Sequence, residues 1–371
     1  MYNQIREDIL FGMLYAVGAV LPLTACIYLL FRQGNAFARD VTPPARLRRW
    51  TAAYFAAAAL CHLWYMPIFF FTSSEDIMKT DLVGGLLDSM TIFPLAIIVM
   101  LSMLQDRRRP LWPIALMTAP FVVGGVFSVA TLSYAHIPML YVYLLLLSVC
   151  IFIYMVRAMR QYGRWLRDNY ADLEHKEVWQ SFVVLAFILL LIVFYAFVNE
   201  GSLSQYAMQV TGIVLIGYLL WRVETLSDLS LSAKEEEEEE TGATEDVKEN
   251  ALSLSIRNNI GPLLKKYCEE PQLYLQNDVS LSQLANQIGI NRSYLSKHFA
   301  LQGISYNEYI NGLRIQHFVN LYHEAVATHQ PLTIQQLAYQ SGFRSYNTFS
   351  VAFKKIMGMN TTEWIRDQIS A

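Results

Sequence analysis

Seven long apolar stretches fill the first 223 residues and decide most of what this chain can fold into. They run roughly over Ile9–Phe31, Trp50–Phe71, Leu82–Leu104, Leu111–Leu132, Pro138–Val156, Val178–Val198 and Leu203–Trp221. A helix needs about 20 apolar residues to cross about 30 Å of hydrocarbon. Each stretch is close to that length, and most carry no charge. A buried helix of a soluble protein would be shorter and would show a polar face. Charged residues make up 16% of the chain, against about 25% in a typical soluble domain. The first stretch is too long for a signal-peptide core and has no basic leader, so it reads as a retained span.

The connections between stretches alternate in basic charge. Arg32, Arg39, Arg46, Arg48 and Arg49 lie in the first, Arg107, Arg108 and Arg109 in a second, and Arg157, Arg160, Arg164, Arg167 and Lys176 in a third. The intervening segments hold only Arg6 and Lys79. The positive-inside rule therefore puts the three basic connections in the cytoplasm, the N-terminus outside and, after seven spans, the C-terminus in the cytoplasm. Trp50, Trp112, Trp179 and Trp221 flank spans as an aromatic belt would. The expected location is the inner (cytoplasmic) membrane.

The net charge of −3 conceals an acidic block between two mildly basic ones. Residues 224–246 hold ten Asp/Glu against Lys234, including Glu235–Glu240 in an unbroken run. Like charges at that density repel and stay solvated, so the segment reads as a flexible acidic linker. The expected division is 1–223 membrane domain, 224–246 linker and 247–371 C-terminal domain. The cysteines Cys26, Cys61, Cys150 and Cys268 form no metal-ligand spacing and read as buried thiols.

Beyond residue 247 hydrophobicity becomes helical in period, with Ile256, Ile260, Leu263, Leu264 and Tyr267 on one face and Gly261-Pro262 starting or kinking a helix. Four capping boxes mark later helix starts: Ser280 with Gln283, Ser305 with Glu308, Thr333 with Gln336, and Asn360 with Glu363. Two segments repeat one pattern. Ala285 and Gly289 are followed by Leu295, and Ala338 and Gly342 by Phe349. A small alanine lets two helices approach, a glycine permits a left-handed turn, and a large apolar residue anchors the second helix. That is the physical content of a helix-turn-helix, whose second helix enters the major groove. The fold class expected is all-α: a seven-helix membrane bundle plus a C-terminal helical domain with two helix-turn-helix units joined by a linking helix.

Residues 275–366 resemble the tandem helix-turn-helix domain of the AraC/XylS family. The resemblance is carried by Leu284-Ala285, Gly289, Tyr294-Leu295-Ser296, Phe299, Gly303, Tyr309-Ile310-Asn311, Arg314, Gly342-Phe343, Ser345, Thr348-Phe349, Phe353-Lys354-Lys355 and Gly358. It covers a quarter of the chain. Thr361 stands where that family usually has proline, and Phe318 where a small residue is usual. The Phe299–Gly303 spacing is short, as in a subgroup whose members often carry long N-terminal membrane or sensor regions. The resemblance implies exposed recognition faces of Arg292, Ser293, Ser296 and Lys297 in the first unit, and Ser345, Tyr346, Asn347 and Val351 in the second. Lys297 suits guanine and Asn347 adenine, whereas Lys354 and Lys355 suit phosphate. A linking helix from Ser305 to His323 would be about 28 Å long.

Within the spans, His62 and Asp88 are ionisable groups in a costly place and are candidate sensing residues that could face one another. No P-loop, kinase catalytic loop, zinc motif or nucleophile elbow is present, so no enzyme, metal or cofactor is expected. The leading expectation is a one-component transcription regulator with a sensing membrane domain. The alternative is a transporter or receptor-like protein with a DNA-anchoring domain. Candidate partners are double-stranded DNA, the lipid bilayer, a small-molecule or proton signal, and a second copy as a homodimer. RNA polymerase is a partner implied by the resemblance.

Overall fold

The computed structural model describes residues 8–39, 41–198, 202–229, 260–329 and 333–370. Their named elements are all helical, without a named strand. The chain divides into two compact units, residues 1–160 with 178–231, and residues 161–177 with 232–371.

In the first unit the helices are α1 (Ile9–Phe31), α2 (Ala45–Tyr65, continued by a 3-10 turn at Met66–Phe69), α3 (Ser74–Met90), α4 (Ile92–Met103), α5 (Trp112–Thr131), α6 (Ile137–Asn169), α7 (Trp179–Val198) and α8 (Ser202–Thr225). Six helical stretches among the described residues are long and apolar enough to cross a membrane. α7 adds a further apolar helix of 20 residues.

Helix boundaries depart from the apolar stretches where polar residues continue a helix. α2 starts at Ala45, directly after Pro44, so Arg46, Arg48 and Arg49 lie on its first turns. The third stretch is two helices. Pro94 has no amide to bond Met90, and its ring crowds that carbonyl, so the chain breaks at Thr91 with φ −123° and ψ −69°. α6 does not end near residue 156 but runs on to Asn169, 33 residues in all, or about 50 Å. Its last turns, from Gln161, belong to the second unit.

The membrane unit is tied at one end by charge. Glu224 is fully buried and its Oε2 lies 3.0 Å from Arg32 Nε. Asn35 Nδ2 donates to the Glu224 carbonyl at 2.7 Å. Residues 227–229 are pinned as well. Gln105 Nε2 donates to Ser227 O at 2.9 Å, Leu229 N to Gln105 Oε1 at 2.8 Å, and Asp228 N to Thr42 O at 2.9 Å. The chain thus stays in this unit past residue 223, and Glu224 is a structural carboxylate rather than the first linker acid. Lys234, the glutamate run and Ile256 lie outside the described residues.

The second unit holds a π turn (Lys265–Glu269), a 3-10 turn (Leu273–Leu275), then α9 (Leu281–Ile288), α10 (Arg292–Gln302), α11 (Tyr306–Ala327), α12 (Ile334–Gln340), α13 (Tyr346–Met357) and α14 (Thr361–Ser370). The capping boxes of α9, α11 and α12 are fully formed. At α14, Glu363 N donates to Asn360 Oδ1 at 2.8 Å and Asn360 N to Glu363 Oε2 at 3.2 Å.

Two cores result. Leu281, Leu284, Ala285, Leu295 and Phe299 pack with Tyr306 and Ile310 of α11. Leu337, Ala338, Phe343, Phe349 and Phe353 pack with Ile315, Phe318 and Tyr322 of the same helix. Phe318, large where the resembled family is small, sits at the centre of the second core, 4.5 Å from the Phe349 ring and 5.7 Å from that of Phe353. Thr361 is the first residue of α14, a position where proline is favoured because its missing amide has no helical partner. Its buried hydroxyl accepts and donates no hydrogen bond.

The two glycine turns differ in their surroundings. Gly289 has φ +77° and open space around a would-be Cβ, whereas Gly342 has φ +88° and a Cβ there would fall 2.7 Å from Leu275 Cα. Left-handed backbone costs an L-residue about 1–2 kcal/mol. Gly289→Ala should therefore lose about that much and Gly342→Ala clearly more, since backbone cannot yield as a side chain can. Denaturant unfolding of residues 247–371, followed by the single tryptophan Trp364, measures both; equal losses would contradict the close approach.

Candidate nucleic-acid interface

Each helix-turn-helix is set by its cap and anchor. α10 starts at Asn291, whose side chain accepts from Ser293 N at 2.7 Å, and its Leu295 and Phe299 are buried. The opposite side of α10 carries half-buried Ser293 and Ser296 and exposed Lys297. α13 starts at Ser345, whose hydroxyl accepts from Thr348 N at 3.3 Å. The Ser345 side chain is thus engaged in capping. Tyr346, Asn347 and Val351 are exposed on α13, Val351 to 65%, a level no core residue shares.

The rod between the two units is α11. Its 22 residues span about 33 Å, four residues past the expected end at His323. A turn of DNA is about 34 Å, so the rod has the length needed to offer two recognition helices to successive major-groove segments.

The cationic candidates are not equivalent. Lys297 and Lys354 are exposed. Lys355 Nζ lies 2.7 Å from Glu308 Oε1, linking α13 to the start of α11. That bond, with help from Ser305, holds the Glu308 carboxyl down at about 2. Arg292 donates through Nε to Asn169 Oδ1 at 3.0 Å, and its Nη2 bonds the same oxygen.

Arg314 is not a surface cation at all. It is 1% exposed. It donates to Tyr274 O at 2.7 Å, Gln276 O at 2.7 Å and Asn277 O at 3.2 Å, and stands 5.6 Å from the Phe343 ring centroid. Burial pulls its guanidinium down to about 10, opposed chiefly by the charge of Asp172, so it stays cationic at neutral pH.

A segment that sequence reasoning treated only as a basic connection packs in this unit. Ala171 is fully buried in the first core, and its N–H donates to Val279 O at 3.4 Å. Tyr170 bridges Ser280 in antiparallel fashion. Asn307 Nδ2 donates to Ala171 O at 2.6 Å and Tyr170 O at 3.2 Å. Lys176 Nζ lies 2.9 Å from Asp278 Oδ1, and Thr348 Oγ1 donates to Glu174 Oε2 at 3.4 Å. No local pattern in the sequence marks these residues.

His62 and Asp88 are not paired with each other. His62 Nε2 faces Gln209 Oε1 at 3.2 Å and its Nδ1 faces Ala58 O at 2.9 Å, with the Tyr15 hydroxyl on its carbonyl. Asp88 accepts from Trp64 Nε1 at 3.2 Å and Tyr65 OH at 3.0 Å. The two take different partners: His62 bonds Gln209 of α8, and Asp88 bonds Trp64 and Tyr65 of α2. No group of His, Cys, Asp and Glu among the described residues is placed to hold a metal.

Comparison with known proteins agrees with this geometry. Residues 284–367 match a family model described as a helix-turn-helix domain. An uncharacterized HTH-type transcriptional regulator of Staphylococcus aureus (strain MRSA252) is 33% identical over 92 residues, 24% of this chain and 12% of that protein. The TCP pilus virulence regulatory protein of Vibrio cholerae serotype O1 (strain ATCC 39541) is 31% identical over 84 residues, 23% of this chain and 29% of that protein. The match thus spans less than a third of either relative. No solved structure matches the chain. Residues 284–367 are an AraC-type helix-turn-helix domain, preceded in the same chain by membrane-span-like helices.

Position along α13 separates base-reading from phosphate-binding candidates, with Asn347 in its first turn and Lys354 in its last. Asn347→Ala should change sequence preference, at about 1–3 kcal/mol for the lost base contact. Lys354→Ala should weaken binding evenly across sequences and flatten the salt dependence. Binding titrations over a set of single-base operator variants check this; a uniform loss in both mutants would reverse the assignment.

Proposed function

We propose that this chain is a one-component transcription regulator held in the cytoplasmic membrane. α10 and α13 read promoter DNA, and the helical bundle is the sensor. The reading is carried by one observation: two helix-turn-helix units share the α11 rod in the same chain as helices long enough to span a bilayer. The names of the relatives, all transcriptional or regulatory, support the DNA role. In this reading α10 offers Arg292, Ser293, Ser296 and Lys297, and α13 offers Tyr346, Asn347 and Val351, with Lys354 and Lys355 at the phosphates. A second copy of the chain and RNA polymerase are its expected protein partners.

The C-terminal domain faces the cytoplasm. The basic connections support this through the positive-inside rule. Packing agrees with it, since residues 161–177, one of these basic connections, fall in the same unit as the helix-turn-helix domain. Alkaline phosphatase fused after residue 229 should be inactive and a cytoplasmic reporter active. Chromatin capture of the tagged full chain should yield a few promoter peaks with a shared motif. Uniform coverage would favour a DNA anchor instead, and an active phosphatase fusion would end the regulator reading.

Sensing rests on half-buried polar groups among apolar helices, where an ionisable side chain is costly unless it has a use. His62 with Gln209, and Asp88 with Trp64 and Tyr65, form two nodes that share α2 but no hydrogen-bond partner. His62→Ala and Asp88→Asn should each change the response of a target-gene reporter. Normal responses in both single mutants would remove these nodes from the mechanism.

A further inference from the structure

The contacts made by the segment between the fifth and sixth spans fall on the parts of the helix-turn-helix domain that DNA needs. Recognition helices meet base edges through their N-terminal residues, and helix N-termini are also where phosphates bind. Asn169 engages Arg292, the first residue of α10. Glu174 accepts from Thr348, in the first turn of α13. Asp278, which pairs with Lys176 of the segment at 2.9 Å, also lies 3.4 Å from Arg344, two residues before α13. One short segment therefore touches the leading ends of both recognition helices.

Its chemistry resembles what it would displace. From Asp168 to Glu177 the segment holds Asp168, Asp172, Glu174 and Glu177 against Lys176 alone. A carboxylate at the N-terminus of α13 and an amide oxygen on Arg292 stand where phosphate or base oxygens would come.

The contact is also built to be left. Beside the buried Tyr170 and Ala171, it is made by hydrogen bonds and ion pairs, which water and DNA can replace at small net cost. One oxygen of Asp172 accepts from Glu174 N at 3.0 Å, while Oδ2 is buried without a hydrogen bond. Burial pushes the Asp172 carboxyl above its ordinary value. A buried carboxylate oxygen left unpaired weakens the docked state. The segment is covalently continuous with the membrane region on both sides, and Asn169 is the last residue of the helix that begins at Ile137.

We infer that residues 168–177 are an intrachain clamp that competes with DNA for the leading ends of α10 and α13, so that the state of the membrane bundle sets DNA occupancy by holding or releasing it. The inference rests on the regulator reading and names its means of control. Docked, the segment occupies Arg292 and Thr348 and places carboxylates where phosphates would sit. Released, it frees both recognition helices together, which explains why one connection reaches both units.

The test uses the full chain in nanodiscs and a promoter duplex recovered by chromatin capture. Asn169→Ala and Glu174→Ala alter the clamp and leave every residue of α9–α14 untouched. Each should tighten duplex binding, about tenfold for Asn169→Ala, given that it holds a charged donor. Unchanged or weaker binding in both variants would overturn the clamp. Hydrogen exchange on the wild-type chain gives a reading independent of mutant folding. Saturating duplex should raise exchange in residues 168–177 while lowering it in α10 and α13; a segment that stays protected is a fixed part of the domain, and the inference fails while the regulator reading stands. Absence of duplex binding by wild type and variants alike would overturn both.

Discussion

The second unit depends on the buried guanidinium of Arg314. Arg314 leaves water only because three backbone carbonyls, of Tyr274, Gln276 and Asn277, accept its protons. Desolvating a guanidinium costs several kcal/mol, and removing its partners would leave that cost unopposed. The same side chain lies over Phe343, just after the Gly342 turn of the second helix-turn-helix. One residue of α11 thus holds together the turn ahead of the first unit and the turn of the second unit. The positions of the two recognition helices on one rod follow from it.

The rod divides its burial between two cores, and that division has a functional meaning. Tyr306 and Ile310 serve the first, Ile315, Phe318 and Tyr322 the second. A helix packed at both ends cannot rotate one recognition helix without the other. A bipartite reader needs this, because two short helices on independent hinges would each pay ordering entropy on binding. The weak basic surface fits a reader that works through shape and base contacts. Arg314 is buried, Lys355 is bonded to Glu308, and Arg292 to Asn169.

What the sequence made legible was local. A capping box joins residues three apart, so Ser280 with Gln283 or Asn360 with Glu363 can be read along the chain, and the glycine turns at 289 and 342 need only their flanking helices. Apolar length made the spans legible in the same way. The rest depends on contacts between distant residues. Asn169 and Arg292 are 123 positions apart, and nothing in either neighbourhood marks the other. The polar end of α6 looked like a loop because hydropathy stops where the helix does not. Glu224 looked like linker because acidity was read without its partner Arg32. His62 and Asp88 looked like a pair because hydropathy fixes depth in the membrane but not the direction a side chain faces.

The central claim is that DNA is bound by a chain that remains in the membrane. Density-gradient flotation of everted membrane vesicles carrying the full chain, mixed with labelled promoter duplex, tests it most directly. The duplex should float with the vesicles, be displaced by unlabelled promoter rather than by unrelated DNA, and fail to float with vesicles lacking the chain. A duplex that stays at the bottom of the gradient, while the full-length chain floats, would contradict the account.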